Sequence, residues 1–450
     1  MATSPEKTSL YRTLWRWHFY AGLFVIPMVL ILSLTGALYL FKPQIERWEE
    51  RGFQGLNVAV AVAPTAQRDA ALAAFPGATF HSYRLPQRVG DAALIHIALP
   101  GDKGMRDVFV SPQGDVLGSI DPEWRIMQIA HDIHGQLLLG PRGSWLVELA
   151  ASWTIVMIAT GLYLWWPRGR GAAGVLWPRL NQGQRVLWRD LHAVTGFWVS
   201  GLALILLVTG LPWAGVWGSS FKAVREQMGW VKGAQDWTIG GRAPDAGDDG
   251  EHALHAEHEH EVMRAGAPHS HAHPTHEALD AIVAEARKEN LAFPVIITPP
   301  GAPQHFGAKS SPMWSVRSDS QNRPQRLTIR YDADSLQEVS RETFADKHVI
   351  DRVVGYGVAW HEGALFGWVN QLIGLVTALA LIALSITGFV QWRRRKPRGS
   401  IGAPPAPRTP ARSYGMLAIG ILFFLTLPLF ALSLIAVWLR DRVSRKILAR

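Results

Sequence analysis

The chain has 450 residues, of which 48% are hydrophobic and only 18% charged, a balance too apolar for a set of soluble domains. It has no cysteine, which excludes disulfides, iron–sulfur clusters, thiolate zinc sites and covalently attached c-type haem, and leaves 17 histidines as available ligands. The excess of 45 Lys+Arg over 36 Asp+Glu gives +9, but the basic residues cluster beside apolar runs, which is membrane-orientation chemistry and argues against nucleic acid as a partner.

Crossing roughly 30 Å of hydrocarbon takes about 20 helical residues. Five apolar segments meet that length, at 17–41, 145–166, 195–217, 369–392 and 415–438. The first lacks a small-residue cleavage site before Lys42-Pro43 and reads as a retained signal-anchor. Loop 168–190 carries five arginines and one acid, and loop 393–413 carries seven basic residues and no acid. Both loops and the N-terminus are therefore predicted on the cytoplasmic side of the membrane, with lipid around the spans. A fifth crossing conflicts with this rule, because it would place the basic tail 440–450 outside.

The predicted organisation in chain order is 1–41 N-terminus and first span, 42–123 external domain, 124–168 external helix and second span, and 169–190 basic loop. There follow 191–217 third span, 218–350 second external domain with an insertion at 252–276, 351–396 external helix and fourth span, 397–414 loop, and 415–450 fifth span and tail. The first external region reads as a helix over 66–74 and strands over 93–99 and 106–110, then the turn Ser111-Pro112-Gln113-Gly114-Asp115. The second reads as a helix over 276–289 and strands over 295–298, 313–317 and 326–331, then a turn at 332–335. The short runs Val116-Leu117-Gly118 and Gln337-Glu338-Val339 close the two regions.

Self-comparison predicts a repeat. His18, Gly22, Thr35 and Gly36 recur as His192, Gly196, Thr209 and Gly210 at an offset of 174, and His134, Gly140, Gly161 and Trp165 recur as His361, Gly367, Gly388 and Trp392 at an offset of 227. The fold class expected is a polytopic α-helical membrane protein of two tandem repeats, a four-helix core plus a fifth C-terminal span, with two α+β external domains.

Ionisable residues at spans are functional candidates by default. His18 and His192 begin spans one and three, while His134 and His361 precede spans two and four, so the topology makes one histidine pair at each membrane face. Two imidazoles facing each other suit bis-histidine ligation of haem iron, because a flat porphyrin takes one axial ligand from either side. Gly36, Gly210, Gly161 and Gly388 fall at the level of the opposite pair, where a porphyrin edge needs room. The competing readings are interfacial caps for the histidines and close helix packing for the glycines. His131 is an alternative ligand or a neighbour that orients His134.

Thr35 and Thr209 are read as bonding back to their own helices, with no chemistry assigned. The 20 tryptophans mostly mark span ends as an interfacial belt. The insertion carries His252, His255, His258, His260, His269, His271, His273 and His276 among acids, a composition that suits a low-specificity divalent-metal scavenger or a plain solvated linker. No nucleotide-binding signature is present, so electrons would have to come from a donor such as a quinol or a cytoplasmic reductase.

With His18-Phe19-Tyr20-Ala21-Gly22-Leu23, His134-Gly135-Gln136-Leu137-Leu138-Leu139-Gly140, Asp190-Leu191-His192 and Trp360-His361-Glu362-Gly363-Ala364-Leu365-Phe366-Gly367, the chain resembles the PepSY-associated transmembrane family, whose members are often called iron-regulated inner-membrane proteins. The resemblance implies PepSY-like external domains. It further implies similarity to reductases of ferric siderophores that carry two b-type haems, with His18 and His192 on one and His134 and His361 on the other. The expected function is then a dihaem oxidoreductase reducing a ferric siderophore or another periplasmic Fe(III) chelate. The rival is a non-redox PepSY-type protein that inhibits a peptidase or binds an envelope partner. A metal transporter ranks last, because few polar residues lie inside the spans. The histidine-rich insertion departs from the family pattern, and the second external region matches it poorly.

Overall fold

The computed structural model describes residues 5–101, 103–167, 172–230, 239, 277–302, 311–406 and 414–448. Its helices are α1 Pro5–Tyr39, α2 Lys42–Glu49, α3 Pro64–Ala74, α4 Ile126–Gln136, α5 Pro141–Trp165, α6 Gln184–Gly210, α7 Gly215–Gln227, α8 Ala278–Lys288, α9 Val349–His361, α10 Trp368–Arg395, α11 Tyr414–Thr426 and α12 Pro428–Leu448. The strands are β1 Thr79–Arg84, β2 Ala93–Ala98, β3 Met105–Val110, β4 Val116–Ile120, β5 Val295–Thr298, β6 Trp314–Ser318, β7 Leu327–Tyr331 and β8 Glu338–Thr343. They fall into two units, Met1–Leu40 with Ala130–Gln227 and Phe366–Arg450, and Phe41–Ile129 with Met228–Leu365.

In the first unit, Ser9–Tyr39, Pro141–Trp165, Gln184–Trp213 and Trp368–Arg395 are long and apolar enough to cross a membrane. Helix α1 packs against α5 and α10, and α6 packs against the same two, so α1 faces α6 across one diagonal and α5 faces α10 across the other. The starts of α5 and α10 share a local device. Gly140 (φ 61°, ψ −148°) and Gly367 (φ 59°, ψ −140°) cap them in a backbone region that a side chain would oppose. This reorients the chain between the histidine-bearing helices α4 and α9 and the spans that follow.

Span α5 carries a carboxylate that hydropathy alone passes over. Glu148 is 1% exposed, and it accepts from the backbone N–H of Val216 (2.8 Å) and Trp217 (3.1 Å) at the start of α7. The carboxyl oxygens thus satisfy orphan donors at a helix N-terminus.

The expected fifth span is broken. Helices α11 and α12 meet at Leu427 and turn through 114°. Pro428 has no N–H to continue the ladder and limits the helical conformation of the residue before it. Trp217 Nε1 donates to Thr426 O (3.0 Å), Phe430 packs edge-on to Trp153 (4.9 Å), and Trp153 Nε1 donates to Ser433 Oγ (3.2 Å). Those contacts run from the start of α7, just past the end of α6, to the middle of α5, so α12 travels back along the bundle towards the end at which α6 begins.

In the second unit the two inter-span regions join one eight-stranded antiparallel sheet, in the order β4-β3-β2-β1-β5-β6-β7-β8. The expectation of two separate α+β domains is thus replaced by two four-stranded meanders sharing an edge, where Tyr83 and Arg84 lie opposite Ile297 and Ile296. Alternation explains one face: Tyr83, Ile95, Ile97, Val108, Ile297, Val316 and Ile329 are fully buried with Ala71 of α3 and Leu279 and Ile282 of α8. Asp280 of α8 accepts from Thr65 N (2.8 Å) in the first turn of α3, tying the halves together.

The other face carries Leu94, Phe109 and Phe53, the last two stacked at 4.1 Å, beside a charge network. Arg125 donates to Asp107 through Nε (3.0 Å) and Nη2 (2.8 Å) and to Glu50 through Nη1 (2.9 Å), and His96 Nδ1 donates to Asp107 (2.7 Å). Burial alone pushes the Asp107 carboxyl up, but the His96 hydrogen bond and the Arg125 guanidinium outweigh it and hold it below the usual aspartate range.

Candidate functional site

His18 lies in the first half of α1 and His192 in the first half of α6, the two helices that face each other on one diagonal of the bundle. Each ring is held by the end of a neighbouring span. His18 Nδ1 lies 3.0 Å from Thr160 Oγ1 of α5, and His192 Nδ1 lies 3.1 Å from Thr387 Oγ1 of α10 and 3.1 Å from Leu384 O. The start of α1 therefore meets the end of α5, and the start of α6 meets the end of α10, so neighbours run antiparallel.

The same arrangement occurs near the other end of α1. Thr35 Oγ1 lies 3.0 Å from His134 Nδ1, 17 residues along the helix from His18, or about 25 Å at 1.5 Å per residue. The threonine after which each glycine follows also bonds its own helix: Thr35, Thr160, Thr209 and Thr387 donate to the carbonyls of Ile31 (2.8 Å), Val156 (3.0 Å), Ile205 (2.7 Å) and Ala383 (2.7 Å). The reading of Thr35 as a bond to its own helix holds, and it has a second partner in His134.

The glycines give way to imidazole. A Cβ placed on Gly161 would stand 3.2 Å from His18 Cε1, one on Gly36 would stand 3.1 Å from His134 Cε1, and one on Gly388 would stand 3.4 Å from His192 Cε1. Room expected for a porphyrin edge at Gly36, Gly161 and Gly388 is thus occupied by the edge of a histidine ring. By contrast a Cβ on Gly22 would meet only Met157 Cε, at an ordinary 3.5 Å.

The remaining candidates divide. His131 pairs with its neighbour Asp132 (3.2 Å) and leans towards the ring of Tyr39 (6.0 Å). His361 is the last residue of α9 in the sheet unit, and Glu362 beside it is paired with the buried Arg323. The tract from His252 to His276 lies outside the described residues. Among the described residues no three His, Asp or Glu side chains converge as a metal cluster would require.

Sequence reading missed Thr160 and Thr387, although they share the 227 offset of the glycines that follow them. Asp190, which sequence reading singled out only as part of the motif Asp190-Leu191-His192 and gave no task, is fully buried two residues before His192. Asp190 accepts from Arg179 Nε (2.7 Å) and Arg189 Nη2 (2.6 Å), anchoring the connection into α6.

These features define a multi-pass membrane protein with four, or up to five, spanning helices and a separate antiparallel-sheet unit. The family described as PepSY-associated TM region matches residues 15–395, and the chain belongs to it. No curated protein matches the chain.

Proposed function

We propose that this chain is a dihaem electron-transfer protein of the bacterial inner membrane that reduces external ferric iron, with an Fe(III)-siderophore as the favoured substrate. The observation that carries the reading is the diagonal pair His18 and His192, each with Nδ1 engaged by a neighbouring helix. The residues fit an iron porphyrin: two imidazoles on diagonally placed helices, each with Nδ1 engaged by a threonine, would hold the iron without a thiolate, which this chain lacks. His134 and His361, which the family resemblance pairs, are the ligands proposed for the second group.

When bound, each haem supplies a one-electron carrier. The chain's own part is to hold the rings in place with Thr160, Thr387 and Thr35, and to surround them with apolar helix that keeps water out. The donor is a quinol or a cytoplasmic reductase, and the N-terminus and both basic loops are cytoplasmic. The tract 252–276 is assigned divalent-metal capture, separate from electron transfer.

The test is a dithionite-reduced minus oxidised spectrum of the detergent-purified protein, with haem extracted and counted per chain. Two b-type haems are expected, and His192→Ala should lose one of them and block reduction of a ferric siderophore followed by an Fe(II) chelator. Deleting 252–276 should leave both in place. A colourless protein made with ample haem would overturn this reading in favour of a non-redox role in binding a peptidase or an envelope partner.

A further inference from the structure

The hydrogen bonds around His18 and His192 determine more than ring position. A neutral imidazole has one N–H and one bare nitrogen, and the partner of the first decides which is which. For His192 the nearby Leu384 carbonyl can only accept, so Nδ1 is the protonated nitrogen. For His18 the partner is a hydroxyl that could in principle give or take a proton. Two carbonyls of its own helix, Val156 O (3.0 Å) and Met157 O (3.2 Å), compete for its hydrogen, as Ala383 O and Leu384 O do for that of Thr387, which assigns Thr160 Oγ1 as the acceptor and His18 Nδ1 as the donor. In both residues the bare nitrogen is therefore Nε2, at the far corner of the ring.

The glycine after each threonine completes the device. Because Gly161 and Gly388 have no Cβ, the Cε1–Nδ1 edge of the ring rests on the helix surface, leaving little freedom to flip. The dipeptide thus supplies an acceptor and a flat seat in consecutive residues. Thr35-Gly36 presents the same two features to His134.

We propose that Thr160 and Thr387 are positioning residues that fix the Nδ1–H tautomer of His18 and His192, present Nε2 to the iron and lower the potential of the haem they serve, and that Thr35 does so for the haem held by His134. This rests on the dihaem reading. A hydrogen bond accepted from Nδ1–H gives the ring anionic character, which makes Nε2 a stronger donor and favours Fe(III) over Fe(II).

The experiment is a potentiometric titration of the purified full-length protein, following the reduced b-type absorbance, with the low-spin EPR spectrum as a second readout. In the double variant Thr160→Val, Thr387→Val, both haems should remain, and one redox component should move to more positive potential while the other stays. Thr35→Val should move the other component instead. Thr→Ser at the same positions, which keeps the oxygen, should restore the wild-type titration. If the double valine variant does not accumulate, the single variants are titrated under the same criteria. Valine variants that carry both haems and titrate and resonate like wild type overturn the proposal while leaving the dihaem reading standing. Wild-type protein without haem overturns both.

Discussion

Arg125 grips Asp107 through two nitrogens, at 3.0 and 2.8 Å, on a sheet face where the carboxylate is 7% exposed. A buried ion pair is weak evidence of net stabilisation, but removing one partner strands the other. Arg125→Met should therefore cost about 3–5 kcal/mol at neutral pH, seen as a lower thermal midpoint of the detergent-solubilised protein.

The same carboxylate sets a pH dependence. Its folded-state value lies below the ordinary one, so its contribution is fully present above about pH 4 and is lost as pH falls through the depressed folded value. Wild type should lose stability on acidification in that window. The deficit of Arg125→Met should narrow there, because a protonated Asp107 no longer needs the guanidinium. A deficit constant from pH 7 to pH 3 would show that Arg125 acts by packing alone.

Gly161 offers a steric test of the histidine seat. Valine there drives Cβ towards His18 Cε1, 3.2 Å away, and adds two methyl groups. On the dihaem proposal, Gly161→Val should lose one of the two haems, while Gly22→Ala, whose Cβ meets only Met157 Cε at 3.5 Å, should retain both. Haem counted per chain decides the matter, and equal retention would show that the seat is not needed.

Glu148 has a structural task that substitution can isolate. Glu148→Leu leaves the Val216 and Trp217 amides without their acceptor in an apolar setting, at a cost of about 1–3 kcal/mol for each orphaned donor. Glu148→Gln keeps one acceptor oxygen and should fall between leucine and wild type. The order of the three thermal midpoints checks it.

The break at Leu427 makes a topological prediction. Helix α12 has 21 residues, about 31 Å of rise, enough to return along the bundle from the break, where Thr426 at the end of α11 is held by Trp217. The basic tail then shares a membrane side with loop 172–183, which removes its conflict with the positive-inside rule. The chain has no native cysteine, so Ser444→Cys and Gln182→Cys can be labelled with an impermeant maleimide without background. Both should label from one side only, and the same one. Labelling from opposite sides would make α11 and α12 a single bent crossing.

What could be read from the sequence followed the range of the forces involved. The strand expected at 295–298 and the helix expected at 66–74 reappear as β5 and α3, because alternation and helical spacing act over a few residues. Strand β1 was not anticipated. Its Thr79-Phe80-His81-Ser82-Tyr83-Arg84 is half polar, and its second partner, β5, lies some two hundred residues away, where local pattern carries no information. The four histidines were visible because charge-capable residues at spans are rare, whereas Thr160 and Thr387 were hidden because a threonine in a helix has an adequate local partner. Hydropathy averages across Pro428 and so shows the fifth apolar segment as continuous, although that proline is itself the signal of a break.

The pairing of β1 with β5 also bears on how the chain is made. When the ribosome has finished β4, the first meander is complete but its β1 edge, Tyr83 and Arg84, has no neighbour until β5 emerges, after two further spans have been inserted. An unpaired edge is a template for strand addition by another chain. Nascent or truncated chains that stop before Val295 would thus expose a ready surface for aggregation, one that the finished protein conceals at the centre of its own sheet.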